Sequence, residues 1–157
     1  MNFGELFDAE LIRINFPCSS KDDLFKKLST LLFEKGYVEE TFKDAIIKRE
    51  AEYPTGLTTG SMQLAIPHTD VVHVKQPFIF VVKLETALPF IHMGTSDQEI
   101  EVNNIFMLGI KDPSKQVNLL SLIMDKLQDQ EFIKTFISIN DIKQMEAFLK
   151  NNFRSEE

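Results

Sequence analysis

The sequence predicts an α/β fold in which one sheet is covered by helices on both sides. Two segments, FIFVVKL (78–84) and NIFMLGI (104–110), are nearly continuous apolar runs, which is typical of strands buried on both faces. The segments before and after them carry apolar residues at helical spacing. The resulting order, a strand, two helices, three strands and then more helices, favours layers of helices around a central sheet.

The first third of the chain predicts one strand and two helices. LIRINF (11–16) is short and β-rich, and it predicts the first strand. Ser20 opens SKDD, a capping-box pattern that predicts a helix start, and Gly36 is well placed as the left-handed residue after its end. A second helix is predicted over residues 39–51, because Pro54 prevents its continuation.

The remaining elements follow the same two patterns. Residues 63–67 (QLAIP) predict a strand ahead of the two apolar runs. After KDPS, apolar residues recur at helical spacing over 117–127, 132–136 and 142–149, which predicts three further helices.

Composition and charge narrow the possible functions. The 157 residues carry a formal net charge of −7 and are 43% hydrophobic, which predicts a single globular domain, residues 1–157. No nucleic-acid partner is expected, because such surfaces need clustered Lys and Arg. No secretion signal or membrane-spanning run is visible, and the one cysteine, Cys18, cannot form an internal disulfide. These features predict a cytoplasmic protein.

His68 has the most distinctive surroundings of the three histidines. It follows LAIP, so its imidazole is expected at the end of a buried strand, at an angle that Pro67 helps to fix. Strand ends at the edge of a covered sheet are common ligand sites, and a neutral imidazole is a good nucleophile. Two interpretations remain open from the residues alone: a reactive histidine, or a structural histidine whose ring is hydrogen-bonded.

Other kinds of site have little support. His68, His73 and His92 are spaced by five and nineteen residues, which matches no common metal-ligand pattern, so no metal is predicted. The chain has no glycine-rich phosphate loop and no Gly-x-Ser-x-Gly motif, so no cofactor is predicted either.

The stretch REAEYPTGLTTGSMQLAIPHTD (49–70) resembles the signature of the fructose/mannitol-type (type 2) enzyme IIA of the bacterial sugar phosphotransferase system, and its galactitol-type branch most of all. The shared elements are an Arg-Glu pair ending a helix, a Pro-Thr-Gly turn, and Pro-His after an apolar pair. The similarity continues through KGYV (35–38), FIFVVKL and IFMLGIKDPSKQVNLLSLIMDKL (105–127). It implies a single mixed β-sheet of about five strands flanked by helices on both faces.

The resemblance also implies a function, that of a phosphocarrier. The histidine matching His68 accepts a phosphoryl group on Nε2 from phospho-HPr and passes it to a cysteine of the cognate enzyme IIB. Enzyme IIB in turn phosphorylates a sugar or sugar alcohol, galactitol-like by this branch, that enters through the membrane component IIC. The chain would then meet IIC only indirectly, and no metal or cofactor would be needed.

Four further residues are candidates for the site. Arg49 offers a planar fork suited to phosphate oxygens, although a solvated cation at a helix end is the alternative. Thr55 could donate its hydroxyl to the phosphate or act only in the turn. Thr69 could support the phosphate, and Thr69 and Asp70 could start a short helix whose N–H groups face the anion. Gln116 stands where the mannitol-type branch has a second histidine, and its amide can donate but cannot carry a charge.

Several questions stay open at this level. Lys115, His73 and His92 are not assigned to the site or excluded from it, and Met62 stands where the mannitol type has an acid. The alternative function is a IIA-like regulatory module whose phosphorylation controls a transcription factor or a kinase, and a phosphate-free interaction domain is a third. Because two partners must reach His68, an apolar surface with a thin polar rim is expected around it, including residues such as Leu57, Val71 and Val72.

Overall fold

The structure is a computed structural model that describes residues 2–154. These residues form a five-stranded mixed sheet with helices on both faces, so the predicted fold class is confirmed. The strands are β1 (Ile12–Phe16), β2 (Gly56–Thr58), β3 (Gln63–Ala65), β4 (Phe78–Ile91) and β5 (Glu99–Gly109). The helices are α1 (Lys21–Glu34), α2 (Phe42–Glu52), α3 (Pro113–Lys126), α4 (Gln130–Ser138) and α5 (Ile142–Asn152).

The order of the strands across the sheet is β1-β4-β5-β3-β2. β1 is parallel to β4 and β3 is parallel to β5, whereas the β4–β5 and β2–β3 pairs are antiparallel. Because β3 and β5 run in the same direction, their carboxyl ends lie at the same edge of the sheet. The segment with His68 follows β3 at this edge, and the start of α3 follows β5.

The two faces of the sheet carry separate apolar cores. Along β4, Ile79 and Val81 pack in a core with α3, α4 and α5, whereas Phe80 and Val82 pack in a core with α1 and α2. Successive side chains of a strand point to opposite faces, so a strand between two helical layers needs apolar residues at every position. This is why the nearly continuous apolar runs predict the central strands correctly.

The ends of the first two helices have local causes. The Ser20 hydroxyl accepts a hydrogen bond from the Asp23 N–H at 3.0 Å, which caps α1, and Gly36 has the predicted left-handed conformation with φ of 83°. Helix α2 begins at Phe42, three residues later than predicted. The reason is tertiary, because Val38 bridges to Val74 and the Glu39 N–H donates to the His73 carbonyl at 2.9 Å.

The strands differ from the prediction in length and in number. Strand β2 is absent from the prediction, because three residues are too few to show an alternating pattern. Strand β4 extends to Ile91 rather than ending at residue 84, and β5 begins at Glu99 rather than at residue 104. These extensions form a long β4–β5 hairpin in which Leu88 and Phe90 are buried.

Candidate functional site

His68 lies just beyond β3, on a backbone that is anchored to the middle of the sheet. Ile66 and Pro67 are buried, and the Pro67 carbonyl accepts a hydrogen bond from the Leu108 N–H of β5 at 3.0 Å. Pro67 therefore continues the contact with β5 beyond the end of β3. This anchoring holds His68 at the carboxyl-terminal edge of the sheet, with its side chain half-buried.

The ring of His68 has a defined tautomer. Its Nδ1 atom lies 2.8 Å from the carbonyl oxygen of Ile66. Because a carbonyl oxygen only accepts hydrogen bonds, Nδ1 must carry the hydrogen in this contact, and in the neutral ring the lone pair is then on Nε2. Burial lowers the pKa of the His68 imidazole, and the charge of Arg49 adds to this effect, whereas the Ile66 hydrogen bond and Asp70 oppose it. The net direction favours the neutral, nucleophilic ring.

Arg49 lies in the last turn of α2, close enough to His68 for its charge to affect the imidazole. Its Nη1 contacts Asp70 Oδ1 at 3.2 Å, and the guanidinium stacks over the ring of Tyr53 with 4.9 Å to the centroid. Its Nε is buried and has no hydrogen-bond partner in the part of the chain that the structure describes. A donor left unpaired in this way is costly, and an anion beside it would satisfy it.

The cleft beside Arg49 also contains Thr69 and Asp70. Thr69 is buried, whereas Asp70 is exposed and precedes a three-residue 3₁₀ turn, Val71–His73, without a capping hydrogen bond from its side chain among the described residues. The predicted short helix after His68 is thus reduced to a single turn. The structure therefore brings Arg49, Thr69 and Asp70 together beside His68, and Thr69 remains a proposed support of the phosphate.

Thr55 is buried under the site and its hydroxyl is already engaged. Its Oγ1 donates to Glu50 Oε1 at 2.9 Å and accepts from the Ile66 N–H at 3.1 Å. A hydroxyl has a single hydrogen to donate, so these contacts favour the role in the turn over direct donation to phosphate.

Gln116 lies in the first turn of α3, which follows β5 at the same edge of the sheet. Its Oε1 is buried without a hydrogen-bond partner among residues 2–154, and its side chain makes no hydrogen bond to His68 or Arg49 there. The preceding Lys115 is exposed, and its charge acts on Asp112, the N-cap of α3. Gln116 thus has an unsatisfied polar atom at this edge and remains a proposed site residue.

The other two histidines have structural partners of their own. Nδ1 of His73 lies 2.7 Å from the hydroxyl of Thr41 at the start of α2, and Nδ1 of His92 lies 2.9 Å from the carbonyl of Met93 in the β4–β5 turn. His73 lines the cleft with Arg49, whereas His92 forms a β-bridge with Gly56 just after the end of β4. In the described residues, no group of three or more His, Cys, Asp or Glu side chains could hold a metal ion.

The surface near His68 is partly apolar. Tyr53, which lines the cleft, is 63% exposed. Val72, which precedes the cleft residue His73, is 70% exposed. Of the residues predicted for a docking surface, Val72 is exposed whereas Leu57 and Val71 are half-buried. Val117, which follows Gln116 in α3, is 65% exposed and extends the apolar character of the carboxyl-terminal edge.

Sequence reasoning missed one residue of this site, Glu50, and one contact, that of Asp70 with Arg49. Glu50 is 3% exposed and lies four residues after Ile46, itself four after Phe42, so it continues the buried stripe of α2. A carboxylate on an apolar stripe is a sequence signal that could have identified it. The pairing of Asp70 with Arg49 had no such signal, because 21 residues separate them in the chain.

Comparison with known proteins places this arrangement in a family. Residues 5–152 match the family described as "Phosphoenolpyruvate-dependent sugar phosphotransferase system, EIIA 2". The chain belongs to this family, and it is a phosphotransferase component. It is 27% identical over 146 residues to the galactitol-specific EIIA component of Escherichia coli strain K12, covering 93% of this chain and 97% of that protein.

Solved structures support the fold. The mannitol-specific cryptic phosphotransferase enzyme IIA of Escherichia coli has a TM-score of 0.73 at 14% identity, over 96% of this chain and 99% of its own. The enzyme IIA of an Escherichia coli complex of IIAMTL with phosphorylated IIBMTL has a TM-score of 0.71 at 18% identity, over 92% and 96%. Within residues 2–154, no helix is both long and apolar enough to span a bilayer.

Proposed function

We propose that this protein is a phosphocarrier that accepts a phosphoryl group on Nε2 of His68 from phospho-HPr and passes it to a cysteine of a cognate enzyme IIB. The observation that carries the proposal is the 2.8 Å contact between His68 Nδ1 and the Ile66 carbonyl. It leaves the Nε2 lone pair as the free nucleophile of a half-buried ring.

The first transfer needs no proton movement at the attacking atom. The Nε2 lone pair forms a bond to the phosphorus of phospho-HPr, and the bond between that phosphorus and HPr breaks, with its electron pair returning to HPr. Positive charge then develops on the His68 ring, and the Nδ1–H donated to Ile66 stabilises it. The catalysis consists of alignment and charge stabilisation, which a protein can supply without a metal.

Arg49 is the proposed partner of the phosphoryl oxygens. The group on His68 brings negative charge next to a guanidinium whose Nε has no partner in the described residues. Asp70 is 75% exposed at its side chain, so the carboxylate can return to water when Arg49 turns to the phosphate. Thr69 and Gln116 are the proposed supporting residues, Gln116 by orienting the group.

The second transfer reverses the chemistry toward enzyme IIB. A cysteine thiolate of IIB attacks the phosphorus, the bond to His68 Nε2 breaks, and the electron pair returns to the ring. Because Nδ1 keeps its hydrogen, His68 leaves as a neutral imidazole, which is a better leaving group than its anion. The likeness to an enzyme IIA that was solved with its phosphorylated IIB supports IIB as the acceptor.

The proposed final substrate is a sugar alcohol such as galactitol, taken up through a membrane IIC. This proposal rests on the galactitol-specific relative and its 27% identity. A transfer assay tests the acceptor directly: the protein, labelled by phosphoenolpyruvate, enzyme I and HPr, is mixed with a galactitol-type IIB. We expect the label to move to the IIB cysteine and none to move to a Cys→Ser IIB. Label that stays on the IIA protein would contradict the carrier role and favour the regulatory alternative.

A further inference from the structure

Glu50 and Arg49 are neighbours in α2 but face different surroundings. Arg49 faces the cleft with Asp70, whereas Glu50 is 3% exposed and points into the protein. The Glu50 carboxylate accepts two hydrogen bonds from Thr55, from the N–H at 2.8 Å and from the hydroxyl at 2.9 Å. A buried carboxylate is costly unless its oxygens accept hydrogen bonds in this way. The contact between Glu50 and Thr55 therefore needs an explanation within the protein, not at its surface.

The Thr55 hydroxyl extends this contact to the backbone of Ile66. Since its hydrogen is donated to Glu50, its oxygen is an acceptor, and the Ile66 N–H donates to it at 3.1 Å. The carbonyl of the same residue accepts from His68 Nδ1 at 2.8 Å. Consecutive hydrogen bonds therefore lead from Glu50 through Thr55 and Ile66 to the ring of His68.

We propose that Glu50 is a positioning residue for phosphoryl transfer. By fixing Thr55 it holds the Ile66 residue in the orientation whose carbonyl selects the Nδ1–H tautomer of His68. The lone pair then stays on Nε2, aimed away from the backbone. The consequence for transfer rests on the proposed function, whereas the tautomer is a property of the unphosphorylated protein.

The direct test is Glu50→Gln, read by the tautomer of His68. A glutamine offers one acceptor oxygen, which the Thr55 N–H can use, and its NH₂ group can only donate to Thr55 Oγ1, so the charge-assisted bond that the hydroxyl donates to the carboxylate is lost. Two-bond ¹H–¹⁵N correlations of the ring distinguish Nδ1–H from Nε2–H. We expect the ratio of Nδ1–H to Nε2–H to fall about tenfold, the scale of one buried hydrogen bond. The single-turnover rate of phosphorylation should fall with it, at an unchanged half-saturating concentration of phospho-HPr.

The matched control is Glu40→Gln, which removes an exposed carboxylate just before α2 and should leave the tautomer ratio and the rate unchanged. A second pair tests the middle of the chain of bonds. Thr55→Ser keeps the hydroxyl and should keep the tautomer of His68. Thr55→Val keeps the shape but loses both bonds of the hydroxyl, to Glu50 and from Ile66, and should shift the tautomer. An unchanged ratio in Glu50→Gln and Thr55→Val would overturn the proposal.

A measurement on the unmodified protein covers the case in which these variants do not fold. The backbone N–H groups of Thr55 and Ile66 should be strongly protected from hydrogen exchange, because both donate to buried acceptors. Exchange as fast as in exposed amides would overturn the proposal. If the unmodified protein accepted no phosphate on His68, the proposed function would fail, and the tautomer ratios would still decide the role of Glu50.

Discussion

The guanidinium of Arg49 contacts the carboxylate of Asp70 at 3.2 Å and stacks over the ring of Tyr53. Arg49 and Asp70 both lie close enough to His68 for their charges to affect its pKa. The unphosphorylated site thus pairs its main cation with an exposed anion. An exposed ion pair contributes little stability, about 1 kcal/mol or less, so it does not compete strongly with a phosphoryl group. Arg49 is therefore oriented toward the site but free to change partner.

Removing this guanidinium should slow transfer strongly. We expect Arg49→Ala to lower the single-turnover rate of His68 phosphorylation by about a hundredfold, the scale of losing one well-placed donor at a developing charge. Arg49→Lys should recover the rate only in part, because an ammonium lacks the two-pronged geometry. Lys43→Ala, at an exposed cation of the same helix, is the control. Equal rates for Arg49→Ala and the unmodified protein would leave Arg49 a helix-end cation.

Gln116 should contribute less than Arg49, since an amide orients the phosphoryl group without adding charge. Gln116→Ala is expected to slow transfer by less than Arg49→Ala in the same assay. Gln116→His should remain phosphorylatable, but its rate should depend more on pH between about 5 and 8, because an imidazole titrates there and an amide does not. A loss in Gln116→Ala as large as that in Arg49→Ala would contradict this division of roles.

The pH dependence of the unmodified protein follows from the lowered pKa of His68. As pH falls through that pKa the ring gains a proton, the Nε2 lone pair is lost, and phosphorylation slows. Because burial lowers the pKa, full activity should persist to a lower pH than an ordinary histidine allows. NMR titration of the ring should show a lower midpoint still in Asp70→Asn and a higher one in Arg49→Ala. Shifts in the opposite directions would contradict the charge assignments.

The local parts of this site could be predicted from the sequence. The Pro-His pair after an apolar strand points to His68, and the resemblance of residues 49–70 to the enzyme IIA signature points to Arg49, because both signals lie in one short stretch of the chain. The contacts of Asp70 with Arg49 and of Thr55 with Ile66 join distant segments, at separations of 21 and 11 residues. No local pattern reports them, and this is why the role of Thr55 stayed open.

The same distinction explains the errors in the fold. Continuous apolar runs identified β4 and β5, because a strand that is buried on both faces has an apolar residue at nearly every position. The three-residue β2 and the delayed start of α2 depend on pairing, of Gly56 with Ala65 and of Val38 with Val74. Such pairings are set by the assembled sheet and leave little trace in short segments.

The most direct test of the account is the position of the phosphoryl group. The protein is incubated with phosphoenolpyruvate, enzyme I and HPr, and the product is examined by mass spectrometry and by ³¹P and ¹⁵N NMR. We expect one acid-labile, base-stable phosphoryl group on Nε2 of His68, full labelling of His73→Ala and His92→Ala, and none of His68→Ala. Label retained in His68→Ala, or a phosphoryl group on Nδ1, would contradict the account.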